Sequence, residues 1–209
     1  MKSILTVLAI LLASTAAFSA PQPAIVQGDR LWTLDVQYTH PQQIALHTKK
    51  SPPQIYWYII VTVTNNTGQD VTFYPNCELM TDTFQIIAAG TNVPARAFEM
   101  VKKRHQSQYP FLEPIEKCDN RLLQGQDNAK DLAIIWPDFD PRAKDFKLFI
   151  AGLSNETAVV ECPGKTNENG EPQNVFLRKT LELDYSVKGD PSLRPAVRLD
   201  FETQQWIMR

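Results

Sequence analysis

Four aspartates fall within one stretch of the chain, Asp127 and Asp131 followed by Asp138 and Asp140. Hard carboxylate oxygens at that density are what a calcium ion takes as ligands. The same residues also read as turn chemistry, because Pro137 and Pro141 bracket the last two and aspartate side chains bond nearby backbone amides. Aromatic rings offer a second chemistry. Tyr56, Tyr58, Tyr109 and Trp136 would make a stacking platform for sugar rings where their faces meet solvent, and core residues where they do not. His40, His47 and His105 are of a type that ligates transition metals, but their spacing matches no ligand pattern.

Nucleophilic catalysis has less behind it. Ser154 follows Gly152 and Leu153 but lacks the glycine two places later that a nucleophile elbow requires. Cys77, Cys118 and Cys162 adjoin no catalytic signature. No catalytic residue is assigned and no cofactor is expected. Asn65-Asn66-Thr67 and Asn155-Glu156-Thr157 are glycosylation triplets, which matter only in a secretory system that modifies them and otherwise supply turns.

These residues must be positioned by strands. From Ile55 to Thr64 the residues Ile55, Trp57, Ile59, Val61 and Val63 share one face while Tyr56, Tyr58, Ile60, Thr62 and Thr64 share the other, which predicts a central strand. The turn-forming run Asn65 to Asp70 follows, and Val71 to Tyr74 is expected to return beside it. Alternation also predicts strands over Leu31 to Tyr38, Asp82 to Ala88, Arg121 to Leu123, Asp131 to Trp136, Asp145 to Ala151, Ala158 to Glu161, Val175 to Val187 and Ala196 to Ile207. Turns are expected at Gly125 to Asn128, Pro137 to Pro141, Asn167 to Pro172 and Gly189 to Pro191. The stretch Thr39 to Gln54 reads as an irregular connection with a short strand around Ile44 to Leu46. Pro94 to Gln106 alone predicts a helix, with proline at its start and Lys102, Lys103, Arg104 and His105 where helix carbonyls favour positive charge. Its natural place is as an insertion against a sheet, covering Tyr56 and Tyr58.

The first residues carry the layout of a secretory leader: Lys2, then the apolar run Ile4 to Leu12, then small residues from Ala16 to Ala20. Ala17 and Ser19 suit cleavage after Ser19, giving a leader over 1–19 and one elaborated domain over 20–209. The apolar run falls short of the roughly 20 residues that span a bilayer, so no stable membrane insertion is expected after cleavage. About 190 residues remain, enough for one sizeable core. The 21 basic and 23 acidic residues nearly balance, and no basic run supplies the footprint of a nucleic-acid or anionic-membrane partner. In an oxidising compartment three cysteines permit at most one internal bridge; closing a loop of about 40 residues would add roughly 4 kcal/mol, and three separate thiols are the alternative.

The segment Trp57 to Gly68 (WYIIVTVTNNTG), with Asp70 to Tyr74 after it, resembles the strand-turn-strand signature of bacterial extracellular immunoglobulin-like domains. With Leu122 to Asn128, Trp136 to Pro141, Ala151 to Ser154, Leu177 to Leu181 and Trp206 to Arg209, the chain is similar to a group of exported bacterial proteins without assigned activity. The resemblance implies a mainly β, immunoglobulin-like antiparallel sandwich and carries no functional residue with it. The cysteines do not flank the core Trp57 as they do in antibody-type domains, so it supplies no pairing for them. The expected role is a non-catalytic module of the periplasm or cell exterior that binds an envelope protein or surface polymer. A carbohydrate-binding module, or an enzyme or metal-dependent protein whose site assembles only on folding, is the alternative.

Overall fold

Period-two alternation governs the architecture. The computed structural model describes residues 23–28, 30–48, 51–166, 168–190 and 197–209. The expected leader and the cleavage point after Ser19 lie outside these residues, as do Asn167, Pro191 and Ala196 of the expected turns and last strand. In chain order the elements are β1 (Ala24–Ile25), β2 (Asp35–Tyr38), β3 (Gln42–Thr48), β4 (Ser51–Asn65), β5 (Val71–Thr72), β6 (Asn76–Thr81), β7 (Ile86–Ala88), α1 (Ala95–His105), β8 (Glu113–Pro114), a 3-10 turn (Ile115–Lys117), β9 (Arg121–Leu122), β10 (Gly125–Pro137), β11 (Asp145–Ala151), β12 (Thr157–Thr166), β13 (Pro172–Lys188) and β14 (Arg198–Met208). Among the described residues the protein is mainly β, with largely antiparallel sheets and one short α-helix.

Two sheets face each other. In the first, β4 is central, with β10 antiparallel on one side, β8 beyond it, and β2 and β3 sharing the other side. In the second, β13 lies between β14 and β11, and β6 and β7 follow beyond β11. One buried cluster draws Trp57, Ile59, Val61, Val63, Ile134 and Trp136 from the first sheet and Leu79, Phe146, Leu148, Ile150, Leu181, Leu183 and Tyr185 from the second. Burying the apolar face of each layer against the other is the main favourable term in the fold.

The opposite face of β4 has its own cover. Tyr56, Tyr58 and Ile60 join Ile44 and Leu46 of β3, Ala133 and Ile135 of β10 and Ala97 and Val101 of α1 in a second cluster. Pro94 caps the helix in extended conformation, as its fixed φ favours, and the basic run occupies the last turn. Tyr58 anchors the helix end: its hydroxyl donates to Gln42 (2.9 Å), accepts from Arg104 (3.1 Å) and lies 2.9 Å from His105 Nε2. Burial raises the Tyr58 pKa against the opposing pull of Arg104, and burial with the Arg104 charge lowers that of His105.

Several expectations need correcting. The short strand expected around Ile44 to Leu46 is present but longer, Gln42–Thr48, a 7-residue strand along β4 whose Ile44 and Leu46 are buried under α1, and β4 itself begins at Ser51, so little of Thr39 to Gln54 is irregular. Val71–Thr72 does not return beside β4 but pairs with Arg121–Leu122. The buried Asn65 sets that path by donating to the carbonyls of Gln69 and Leu122. Of the strand expected over Asp82 to Ala88, Ile86–Ala88 forms as β7, whereas Asp82 to Phe84 turn the chain, with Phe84 at φ 64°, and β6 before them alternates Cys77, Leu79 and Thr81 inward. Gly125 to Asn128 opens β10 instead of turning the chain, and a register irregularity between Gly125 and Lys130 takes up the extra residues.

Candidate functional site

The four aspartates do not converge. Trp57 Nε1 donates to Asp138 (2.7 Å), and Asp140 is gripped by the backbone amide, Nε and Nη2 of Arg142. Those bonds hold the Asp140 carboxyl far below the usual carboxylate range. Asp131 accepts from Thr62 (2.6 Å), and Asp127 is exposed near the start of β10. At about 3.3 Å per strand residue, Asp131 stands ~23 Å along β10 from Asp138. No group of three or more histidine, cysteine or carboxylate residues suited to a metal occurs among the described residues. The turn reading of Asp138 and Asp140 describes what their carboxylates do.

The sugar platform is corrected for a different reason. Tyr56, Tyr58 and Trp136 are 5%, 0% and 0% exposed, so none presents a ring face to a ligand. Trp136 lies between the sheets and the two tyrosines under α1. Tyr109 is half-buried against the same cluster, its ring 6.2 Å from that of His105. His40 sits elsewhere, against Tyr185 (Nδ1 to hydroxyl 3.1 Å) and the rings of Tyr38 and Phe201, and His47 is exposed on β3. The Ser154 hydroxyl donates to the Trp32 carbonyl (2.8 Å) and receives Thr33 Oγ1 and the Glu156 amide, so it ties two loops together. All three cysteines are free thiols. Burial, with the Glu78 charge adding to it, pushes the Cys77 thiol well above its ordinary range, and burial also raises Cys118.

One charged cluster escaped the sequence reading. On the outer face of the second sheet, Lys147 Nζ lies 2.6 Å from Glu182 Oε1 and 3.0 Å from Asp184 Oδ2, and Gln205 Nε2 also donates to Glu182 (3.0 Å). Glu182 is 5% exposed, and Asp184 Oδ1 is buried with no partner. Burial pushes both carboxyls up. For Glu182 the bonds from Lys147 and Gln205 outweigh burial and hold it below its ordinary value. For Asp184 burial and the Glu182 charge outweigh Lys147 and leave it raised. The stability linked to the Asp184 proton is therefore complete in acid and is lost as pH rises through its folded pKa. Asp184→Asn keeps the shape and supplies an amide donor without the charge. Its urea midpoint is expected to exceed that of the parent at pH 7 and to match it near pH 4. An equal difference at both values would show that no proton is held there.

The third feature is geometric. β11 and β12 follow one another along the same side of β13, so the β12–β13 hairpin continues past the part of β13 that β11 covers. β14 covers the other side of β13 only from Lys179 onward, with Arg178 and Arg209 exchanging backbone hydrogen bonds at its end. Beyond that point the hairpin is a ribbon, flanked at its base by β1 through Ala24 and Val159. It exposes apolar side chains: Phe176 is 67% exposed, Ile25 56%, and Val26 and Val175 40% each. Cross-strand pairs of Val159 with Phe176 and Val160 with Val175 place apolar residues on both faces. A ribbon that shows apolar residues on both faces has the character of an interaction surface.

Fold and surface together define a mainly β, two-layer protein with a helix on one outer face and a projecting apolar ribbon. In comparisons with known proteins, no family model, no curated protein and no solved structure matches the chain.

Proposed function

We propose that this chain is a non-catalytic binding module with an immunoglobulin-like sandwich, exported to the periplasm or cell exterior, which engages a protein or surface polymer of the envelope through its ribbon. The leader-like layout of residues 1–19 supports export, and the alternating strands support the sandwich class. The observation that carries the binding role is the ribbon's exposed apolar set, Ile25, Val26, Val175 and Phe176. A soluble chain gains nothing by showing Phe176 to water unless a partner covers it, and aromatic anchors dominate binding energy where one does.

A photocrosslinking residue at Val175, compared with one at the exposed Lys103 on α1, tests this in the native compartment. A discrete adduct is expected from position 175 and none from 103. Phe176→Lys is expected to weaken that adduct roughly tenfold, the loss of one apolar anchor. The same abundant bystanders captured from both positions would count against the ribbon as a binding surface.

A further inference from the structure

The ribbon has two long edges, and they differ. On the β12 side Val26 donates its amide to the Thr157 carbonyl, and β1 pairs as far as Val159. Past β1 that arm carries Glu161, Pro163 and Lys165. Charges and a proline without an N–H are the usual means of keeping an edge from pairing. On the β13 side the one such device is Pro172, at the start of the strand. Past it, Gln173 to Leu177 carry no charge and no proline (QNVFL).

The direction of the free groups follows from the ladder. Lys179 donates toward the β12 side, to Glu156, whereas Arg178 exchanges both bonds with Arg209 on the β14 side. Antiparallel backbone groups alternate sides residue by residue. Asn174 and Phe176 therefore aim their N–H and C=O groups outward, beyond the last pair made by β14, and no strand pairs with them among the described residues. The outward row sits beside the exposed side chains of Val175 and Phe176.

We infer that this edge pairs with the same edge of a second copy of the chain, strand antiparallel to strand about a twofold axis at Val175. Such pairing is self-complementary: Asn174 of each copy meets Phe176 of the other, and the two narrow pairs supply about four backbone hydrogen bonds. Val175 meets its own counterpart at the axis, and each Phe176 side chain is covered by the strand of the other copy. The two second sheets become one continuous sheet through the ribbons. The inference rests on the reading of the ribbon as a binding surface and names the occupant. An uncharged edge suits a second uncharged edge, which this chain itself supplies.

Sedimentation velocity on the mature chain, from about 1 to 200 µM, is expected to show a concentration-dependent dimer. Phe176→Pro removes an outward N–H that is unpaired in the single chain, so it leaves the fold intact while breaking the row. The variant is expected to sediment as a monomer throughout, with unchanged far-ultraviolet circular dichroism. Val175→Cys in a Cys162→Ser background is expected to form an intermolecular disulfide on mild oxidation, because positions opposed in a wide pair stand about 4.5 Å apart. A parent that stays monomeric to the highest concentration, or a dimer that survives Phe176→Pro, overturns the inference. A monomeric parent that still yields the Val175 adduct with another protein overturns the second copy alone and leaves the proposed function standing.

Discussion

Gly152→Ala is expected to lower the thermal midpoint by about 12 °C, from a loss of roughly 4 kcal/mol in a chain of this size. Gly152 has φ +83°, and a Cβ there would stand 2.0 Å from the Tyr74 carbonyl oxygen and 2.5 Å from its carbon. The left-handed backbone alone costs an L-residue about 1 to 2 kcal/mol. The remainder comes from contact with main chain, which cannot swing away as a flexible side chain would. Tyr74 and Pro75 lead into β6, and Asn76 pairs with Ala151 next to the glycine. Relief of the clash must therefore pull β6 from β11 in the middle of the second sheet. Gly68→Ala is the matched control: its φ is +86° and nothing lies within 4 Å of the added carbon. It should cost only the backbone term, about 1 to 2 kcal/mol. Melts followed by circular dichroism check both. A Gly152→Ala midpoint within about 3 °C of the Gly68→Ala midpoint would mean that the close approach to Tyr74 is absent.

Asn65→Ala is expected to cost roughly 3 kcal/mol, read as a lower urea midpoint with an unchanged slope. The side chain is 0% exposed and fully used. Its amide donates to the carbonyls of Gln69 (2.8 Å) and Leu122 (2.9 Å), and its oxygen accepts from the amide (3.1 Å) and hydroxyl (2.8 Å) of Thr67. Removing it strands the Leu122 carbonyl beside the buried Leu122 side chain, and an unmade bond there costs more than a made one contributes. Asn65→Asp separates this account from simple loss of volume. A carboxylate keeps the size but cannot donate to either carbonyl, and it brings a charge into the interior. The aspartate variant is expected to be at least as unstable as the alanine one. Recovery of parental stability by aspartate would show that the donated bonds contribute little.

The helix and the central strand were legible because their signals are local. Pro94 and the basic run mark the two ends of α1, and ten alternating residues from Ile55 mark the core of β4. Strand β3 was only partly legible, because Pro41, Pro52 and Pro53 flank it and its apolar residues number too few to reveal burial beneath a helix 50 residues later. The same locality misled at Asp82 to Phe84, where alternating composition continues into residues that turn. Among the candidate residues, type alone nominated the aspartates and aromatics. Burial decided against Tyr56, Tyr58 and Trp136, and separation along β10 decided against the aspartates as a group.

The Lys147, Glu182 and Asp184 cluster shows the boundary most clearly. The run Leu181-Glu-Leu-Asp-Tyr185 puts both carboxylates on the face opposite the core, whatever the strand pairs with. That Lys147 lies opposite Asp184 is a matter of register between β11 and β13. The ribbon is of the same kind, since Val175 and Phe176 lie in a strand that is buried farther along.

Taken alone, the sequence determined most of the extended segments, which side of the central strand faces the core and where α1 runs, because side-chain periodicity and capping act within a few residues. Only the tertiary structure decided which strands pair, where the two layers stop covering β13 and which polar groups meet. Backbone edges offer the same donors and acceptors to any partner, so the choice among them rests on long-range burial that no single segment encodes.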